Sequence, residues 1–182
     1  MKRTLVASVV AAGLSVFAFA ANADEHTISG GYAQSHVKFD GEKLDENPKG
    51  FNLKYRYELD NNWGVIGSFT LTHQGYDFYD DGAKVGTGNL DYYSLMAGPT
   101  YRFNDYVSAY GLIGAAHGKA KSESFVSGYE LLDHKGSKTS VAYGLGLQFN
   151  PMPNWTIDTS YEYSKLDDAK IGTWVVGVGY RF

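Results

Sequence analysis

The chain has 182 residues, a net charge of −4, no cysteine, 22 glycines and 15 tyrosines, with aromatics at 15% of the sequence. The acidic balance argues against nucleic acid as a partner, and without cysteine a chain sent to an oxidising compartment cannot be held by disulfides. Beyond the first 20 residues no stretch is apolar for the ~20 positions that a spanning helix requires, so a membrane crossing would have to be made by strands.

The N-terminus reads as an export signal. Lys2 and Arg3 precede an uncharged run over residues 5–20, followed by Ala21-Asn22-Ala23, the small-x-small pattern that signal peptidases cut. The run is shorter than a bilayer span and no stop-transfer charges follow. Cleavage after Ala23 removes two cations and leaves residues 24–182 as one domain.

From there the chain reads as strands with apolar side chains at every second position. Residues 28–37 alternate only around Ile28, Gly30 and Tyr32. Residues 50–59 place Phe51, Leu53, Tyr55, Tyr57 and Leu59 on one face and Asn52, Lys54, Arg56 and Glu58 on the other. A slip of one residue would put three charges into lipid, each cation costing ~2–4 kcal/mol at the midplane, so the register is fixed with the charges inside. Residues 63–74 follow with Trp63, Val65, Phe69 and Leu71 outward, and 93–103 with Tyr93, Leu95, Ala97, Tyr101 and Phe103 outward. Pro99 interrupts the latter, which calls for a bulge or a lost ladder bond. Residues 106–118 are so rich in small side chains that their parity is ambiguous. Residues 141–149 expose Tyr143, Leu145 and Leu147; residues 155–165 expose Trp155, Ile157, Tyr161 and Tyr163 and enclose Asp158, Ser160 and Glu162. The last strand sets Trp174, Val176, Val178, Tyr180 and Phe182 against Gly177, Gly179 and Arg181.

Eight such segments predict an all-β fold, an eight-stranded antiparallel transmembrane up-and-down β-barrel. Connections alternate in length. Residues 60–62, 104–105 and 150–154 are tight turns, whereas 39–49, 77–89, 119–138 and 166–170 are read as four extracellular loops. An eight-stranded lumen is only wide enough for its own side chains, so Lys54, Arg56, Arg102 and Arg181 should pair with Glu58, Asp158 and Glu162 in a plugged barrel, not a pore. The ten lysines at 38, 43, 49, 84, 119, 121, 135, 138, 165 and 170 fall in loops or at outer strand ends, which leaves no cation for the middle of the lipid face.

Catalytic and metal chemistry are weakly supported. His36, His73, His117 and His134 accompany Ser35, Ser122, Ser124 and Ser137, and His73 and Ser122 are a pair that approaches across loops if any does. No short motif singles out one serine, and solvated rim histidines account for the set. Asp77, Asp80 and Asp81 with Gly82 form a carboxylate cluster, but the spacing is not that of an EF-hand. No cofactor or metal is expected. The second and third loops instead carry aromatics among mixed charge, the composition of protein-binding hot spots. Candidate ligand contacts there are Phe78, Tyr79, Asp80, Lys84, Phe125, Tyr129, Lys135 and Lys138. Lys38, Lys49, Lys119, Lys121 and Lys165 flank the strands where they would meet lipopolysaccharide phosphates or sulfated glycans.

Several strand segments are similar to those of the OmpX/Ail family of Gram-negative outer-membrane barrels: Gly31-Tyr32-Ala33-Gln34-Ser35, Gly50-Phe51-Asn52-Leu53-Lys54-Tyr55-Arg56-Tyr57-Glu58, Gly64-Val65-Ile66-Gly67-Ser68-Phe69, Gln148-Phe149-Asn150-Pro151 and Val178-Gly179-Tyr180-Arg181-Phe182. Thr72-His73-Gln74-Gly75-Tyr76-Asp77-Phe78 and Gly114-Ala115-Ala116-His117-Gly118-Lys119 resemble the Ail attachment-invasion branch in particular. The resemblance implies insertion by the outer-membrane assembly machinery, which reads the terminal aromatic, and a monomer embedded among outer-membrane lipid and lipopolysaccharide. It further implies a non-enzymatic adhesin whose loops bind fibronectin, laminin or complement regulators and confer serum resistance. Residues 123–136 depart from the Ail pattern. An OmpX-like envelope or stress role is the alternative, and a lipid-A-modifying enzyme a more distant one.

Overall fold

A computed structural model describes residues 26–39, 42–43, 47–80, 83–126, 129–166 and 169–182. The export signal expected over 1–23 lies outside the described residues. The chain forms β1 (His26–Phe39), β2 (Glu42–Lys43), β3 (Lys49–Glu58), β4 (Trp63–Asp80), β5 (Ala83–Arg102), β6 (Val107–Val126), β7 (Tyr129–Met152), β8 (Trp155–Leu166) and β9 (Ala169–Arg181). Among the described residues β2 pairs only with the end of β1. The other eight are antiparallel neighbours in chain order, and β1 pairs with β9 from Thr27↔Arg181 to Phe39↔Ala169, closing the sheet into a barrel. Below that ladder, His26 N–H donates to the Phe182 carbonyl at 3.2 Å and Phe182 N–H to that of His26 at 2.9 Å. The seam is tight because Gly31 and Gly177 face each other. A Cβ on Gly31 would sit 2.6 Å from the Val176 carbonyl oxygen, and one on Gly177 at 2.6 Å from that of Gly30.

Period-2 alternation places the two faces as the residues demand. Leu95, Ile113, Leu145, Trp174, Val176 and Val178 stand on the outer wall, each more than half exposed. Lys54, Arg56, Glu58, Asp158 and Glu162 are buried in the lumen. The ambiguous segment now has a parity: Ile113 points out and Leu112 in. At Pro99 the β5–β6 ladder skips Gly98 and Pro99, running from Ala97↔Ile113 to Thr100↔Tyr110. The missing N–H is accommodated by a local loss of pairing.

The lumen is layered. Nearest the short turns, Glu58 accepts from Arg181 at 2.7 Å and from Arg102, and is ion-paired with Arg56 at 3.2 Å. Above it Lys54 bridges to Asp158 at 2.7 Å, and the Tyr110 hydroxyl donates to the same carboxylate at 2.9 Å. Glu162 departs from expectation. Instead of a direct cation it takes the hydroxyls of Thr70 (2.9 Å), Ser94 (3.1 Å) and Ser68 (3.2 Å). Nor is the lumen uniformly polar, since Ile66, Tyr92, Met96, Leu112, Leu166 and Ile171 form a buried apolar cluster. Together these side chains fill the interior, as a plugged barrel requires.

Asparagine and aspartate shape the short turns. Asp60 Oδ1 accepts from the backbone N–H of Trp63 at 2.7 Å and of Asn62 at 2.8 Å, and Asn104 Oδ1 accepts from Tyr106 and Val107 at 2.8 and 2.9 Å. These are side-chain turns that pre-bend the chain between strands. Asn62 and Asn154 reach sideways, donating to the carbonyls of Arg102 and Arg181 and tying each turn to the next strand pair.

Two expectations follow. Lys54→Met leaves Asp158 without its cation and should lower the unfolding free energy by about 3 kcal/mol, read from urea unfolding of the micelle-refolded protein; Lys54→Met with Asp158→Asn should recover much of that loss. The N–H groups of Trp63 and Asn62 hold the Asp60 carboxyl below its ordinary range. Its contribution is therefore complete above the unfolded-state value and fades as the pH falls through the lower folded-state value. Asp60→Asn should flatten that part of the acid limb of the stability curve.

Candidate binding surface

Strand lengths are unequal, and the inequality makes a surface. β5 and β6 each run 20 residues and β7 runs 24, against 12 for β8 and 10 for β3. At ~3.3 Å per residue and ~45° tilt, 20 residues rise ~47 Å and 12 residues ~28 Å, and the apolar band of such barrels is only ~25 Å tall. β4, β5, β6 and β7 thus continue as a four-stranded blade well beyond the rest of the barrel.

This corrects the reading of 77–89 and 119–138 as loops. Both are hairpins paired almost to their tips, with Asp80↔Ala83 the last pair of one and Val126↔Tyr129 of the other. Alternation fades there because water bathes both faces of a strand that has left the bilayer, so no lipid imposes the period. The segment 39–49 likewise holds β2 and the start of β3, and of 166–170 Leu166 closes β8 while Ala169 and Lys170 open β9.

The register brings together residues that are far apart in sequence. Phe78, Gly86, Ser124 and Leu132 occupy one row across the blade, with Tyr79 opposite Lys84 and Phe125 opposite Glu130 one step beyond. The candidate contacts Phe78, Tyr79, Asp80, Lys84, Phe125 and Tyr129 therefore lie at two adjacent tips of one sheet. Lys135 pairs with Lys121 and Lys138 with Gly118, lower on the same blade. Among the described residues no strand pairs with 75–80 on the side away from β5, nor with 129–137 on the side away from β6. The blade thus presents two open sheet edges.

A charged row runs around the barrel where the apolar wall ends. Lys49, His73, Asp91, Lys119 and Ser137 are successive partners across β3 to β7. His73 Nδ1 meets Asp91 Oδ1 at 2.5 Å, and the Lys119 ammonium lies 5.7 Å from the centre of the Tyr93 ring. On the other side Lys38 pairs with Lys170, and Lys170 with Lys165, all three exposed. Lys170 is absent from the set picked out of the sequence, although its spacing from Lys165 across a short turn was the signal for it. A hollow of about 250 Å³ lies beside Lys119 and Lys121, bounded also by Gly136 and Ser137.

His73 and Ser122, the one pair weighed for an approach across loops, lie in different rows. His73 is in the row of Asp91, while Ser122 is three rows further out and opposite His134. His117 Nδ1 is 2.6 Å from the Thr139 hydroxyl. No group of three metal-ligating side chains occurs among the described residues.

Comparison with known proteins fits this architecture. A family model for the outer membrane protein beta-barrel domain matches residues 4–182. The attachment invasion locus protein of Yersinia enterocolitica is 60% identical over 183 residues, with both chains covered in full. Outer membrane protein X of Escherichia coli (strain K12) is 44% identical over 184 residues, again with both covered in full. The crystal structure of Ail, the attachment invasion locus protein of Yersinia pestis, in complex with the heparin analogue sucrose octasulfate, matches with a TM-score of 0.79 at 58% identity, covering 88% of this chain and 100% of that one. With a closed barrel, an apolar outer wall and relatives of this kind, the chain belongs to the OmpX/Ail family of outer-membrane β-barrel proteins.

Proposed function

We propose that the protein is a non-enzymatic, monomeric adhesin in which the barrel holds the β4–β7 blade outside the cell as a binding surface for host matrix proteins and sulfated glycans. The observation that carries this reading is the blade itself: four strands paired far beyond the membrane band, with both hairpin tips in one sheet. Long connections of outer-membrane barrels face outward and short turns face the periplasm, which puts the blade on the extracellular side. Apolar and aromatic residues at the tips, Phe78, Tyr79, Phe125 and Tyr129, supply anchors, and open edges at 75–80 and 129–137 offer main-chain donors and acceptors to an extended segment of a partner. Fibronectin and laminin are the matrix proteins to test first, with complement regulators as the route to serum resistance. For sulfated glycans the support is chemical: Lys119, Lys121 and Lys135 are neighbours on β6 and β7, and the Yersinia pestis relative was crystallised with sucrose octasulfate.

The lysine row of β1, β8 and β9 has a separate role on this reading. Lys38, Lys165 and Lys170 stand on adjacent strands ~4.8 Å apart, so three ammoniums fall within ~10 Å. Like charges side by side across strands repel, and a phosphate placed among them relieves that repulsion. At the end of the apolar wall nearest the blade, such phosphates belong to lipopolysaccharide, with Lys49, Lys119 and Lys121 completing the contacts around the barrel.

Whole cells displaying the protein should adhere to immobilised fibronectin or laminin, and Phe78→Ala with Phe125→Ala should remove most of that adhesion while the heat-shifted gel mobility of the barrel stays as it is. Adhesion undiminished in that double variant would remove the tip assignment. Lys119→Gln with Lys121→Gln should elute from heparin at lower salt than the parent. Replacing Lys38, Lys165 and Lys170 by glutamine should weaken binding to lipopolysaccharide in a nanodisc titration and leave heparin elution where it was.

A further inference from the structure

Just inside the short-turn mouth three guanidiniums converge on one carboxylate. Glu58 is shared by three guanidiniums, Arg56 and Arg102 on Oε1 and Arg181 on Oε2. The next carboxylate up the lumen, Asp158, is committed to Lys54 and Tyr110. Arg56 spends another donor on Gln148 at 2.9 Å. Three guanidiniums share one carboxylate at a place where Arg56 and Arg102 are almost completely buried. Each guanidinium has five donors in a fixed fork, and the Nε–H groups of Arg56, Arg102 and Arg181 are buried without a hydrogen-bond partner.

In front of this cluster lies a cavity of about 380 Å³, whose lining includes Glu58, Arg102, Arg181, Asn62, Asn104 and Asp105. Its walls are polar amides and charged groups, and it faces away from the blade. Asn62 and Asn104 are held by the turn bonds already described, so the mouth is fixed before any ligand arrives. Asp105 is exposed and lines the same cavity, which therefore carries two guanidiniums and two carboxylates.

From these features we propose that the short-turn mouth is a binding site for a small oxyanion, a phosphate or a carboxylate, held between Arg102 and Arg181. Two forked cations that share one carboxylate present their remaining donors to a second anion, and guanidinium recognition of planar or tetrahedral oxyanions is charge-assisted and geometrically selective. Because short turns face the periplasm, the ligand comes from that compartment, either as free phosphate or as the carboxylate of a periplasmic molecule. This site is at the opposite end from the adhesive blade and does not depend on the adhesin reading.

The test is a nuclear magnetic resonance titration of isotope-labelled protein in micelles with sodium phosphate, and separately with sodium acetate, at ionic strength held constant with chloride. Saturable movement of the Asn62 and Asn104 amides and of the arginine Nε–H signals, with His117 and Lys119 on the far side unmoved, is the expected result. Saturation by phosphate alone assigns the site to phosphate; saturation by acetate as well extends it to carboxylates. Arg181→Gln should weaken binding roughly tenfold, about 1.4 kcal/mol, and Arg181→Lys should weaken it less. Asp105→Asn, an exposed change that leaves the buried cluster intact, should tighten binding several-fold. Shifts that never saturate, that follow chloride equally, or that Asp105→Asn and Arg181→Gln leave unaltered would overturn the proposal.

Discussion

Hydrocarbon offers nothing for a peptide N–H or C=O to bond with, and a spanning strand must therefore find partners on both sides. Closure of β1 onto β9 satisfies that demand, and the rest of the architecture follows from it. A closed sheet has one face toward lipid and one toward the lumen, so each residue's parity becomes its solvent. The facing glycines at 31 and 177 let the two chain ends approach closely enough to complete the ladder, which makes this seam the joint on which the other strands depend.

Enclosing the charged face solves one problem and poses another, because buried ions need partners. The lumen meets this with different chemistry at different heights. Arginines surround one carboxylate near the short turns, a lysine and a tyrosine hold a second at mid-height, and hydroxyls satisfy a third. Apolar side chains are interleaved with these groups, Ile66 opposite Arg56 and Met96 opposite Ser68. The interior is consequently a mixed polar and apolar core, and its packing stands in for the hydrophobic core that a soluble domain would have.

Much of this was legible in the residues. Where a strand crosses the bilayer with little extension beyond it, as β3 and β9 do, the alternation of Phe51, Leu53 and Tyr55 or Trp174, Val176 and Val178 states the register without ambiguity, since an error would cost several buried charges. Cation placement was equally readable, as Lys54, Arg56, Arg102 and Arg181 all face inward. Three things were hidden. Tyr92, Leu112 and Ile171 are apolar yet enclosed, and an apolar residue beside a small one carries no mark of its side. Glu162 is hydrogen-bonded by hydroxyls contributed from strands far away in the chain, which no local pattern records. The paired stems beyond the membrane were read as loops because a strand wetted on both faces has no reason to alternate. Lys38 joins Lys170 and Lys165 in one row only through the long-range pairing of β1 with β9.

The irregularities near both hairpin tips have an evolutionary corollary. One residue more on one arm than the other occurs between Phe78 and Tyr79 and again between Ser124 and Phe125, where Val85 and Leu131 are the surplus positions. Since adding a single residue to a ladder swaps its two sides, these bulges act as buffers that absorb odd-numbered insertions before they propagate toward the bilayer. Changes in the length of the protruding arms are therefore insulated from the registration of the embedded wall, which lets lineages diversify their outermost segments while inheriting an unaltered cylinder.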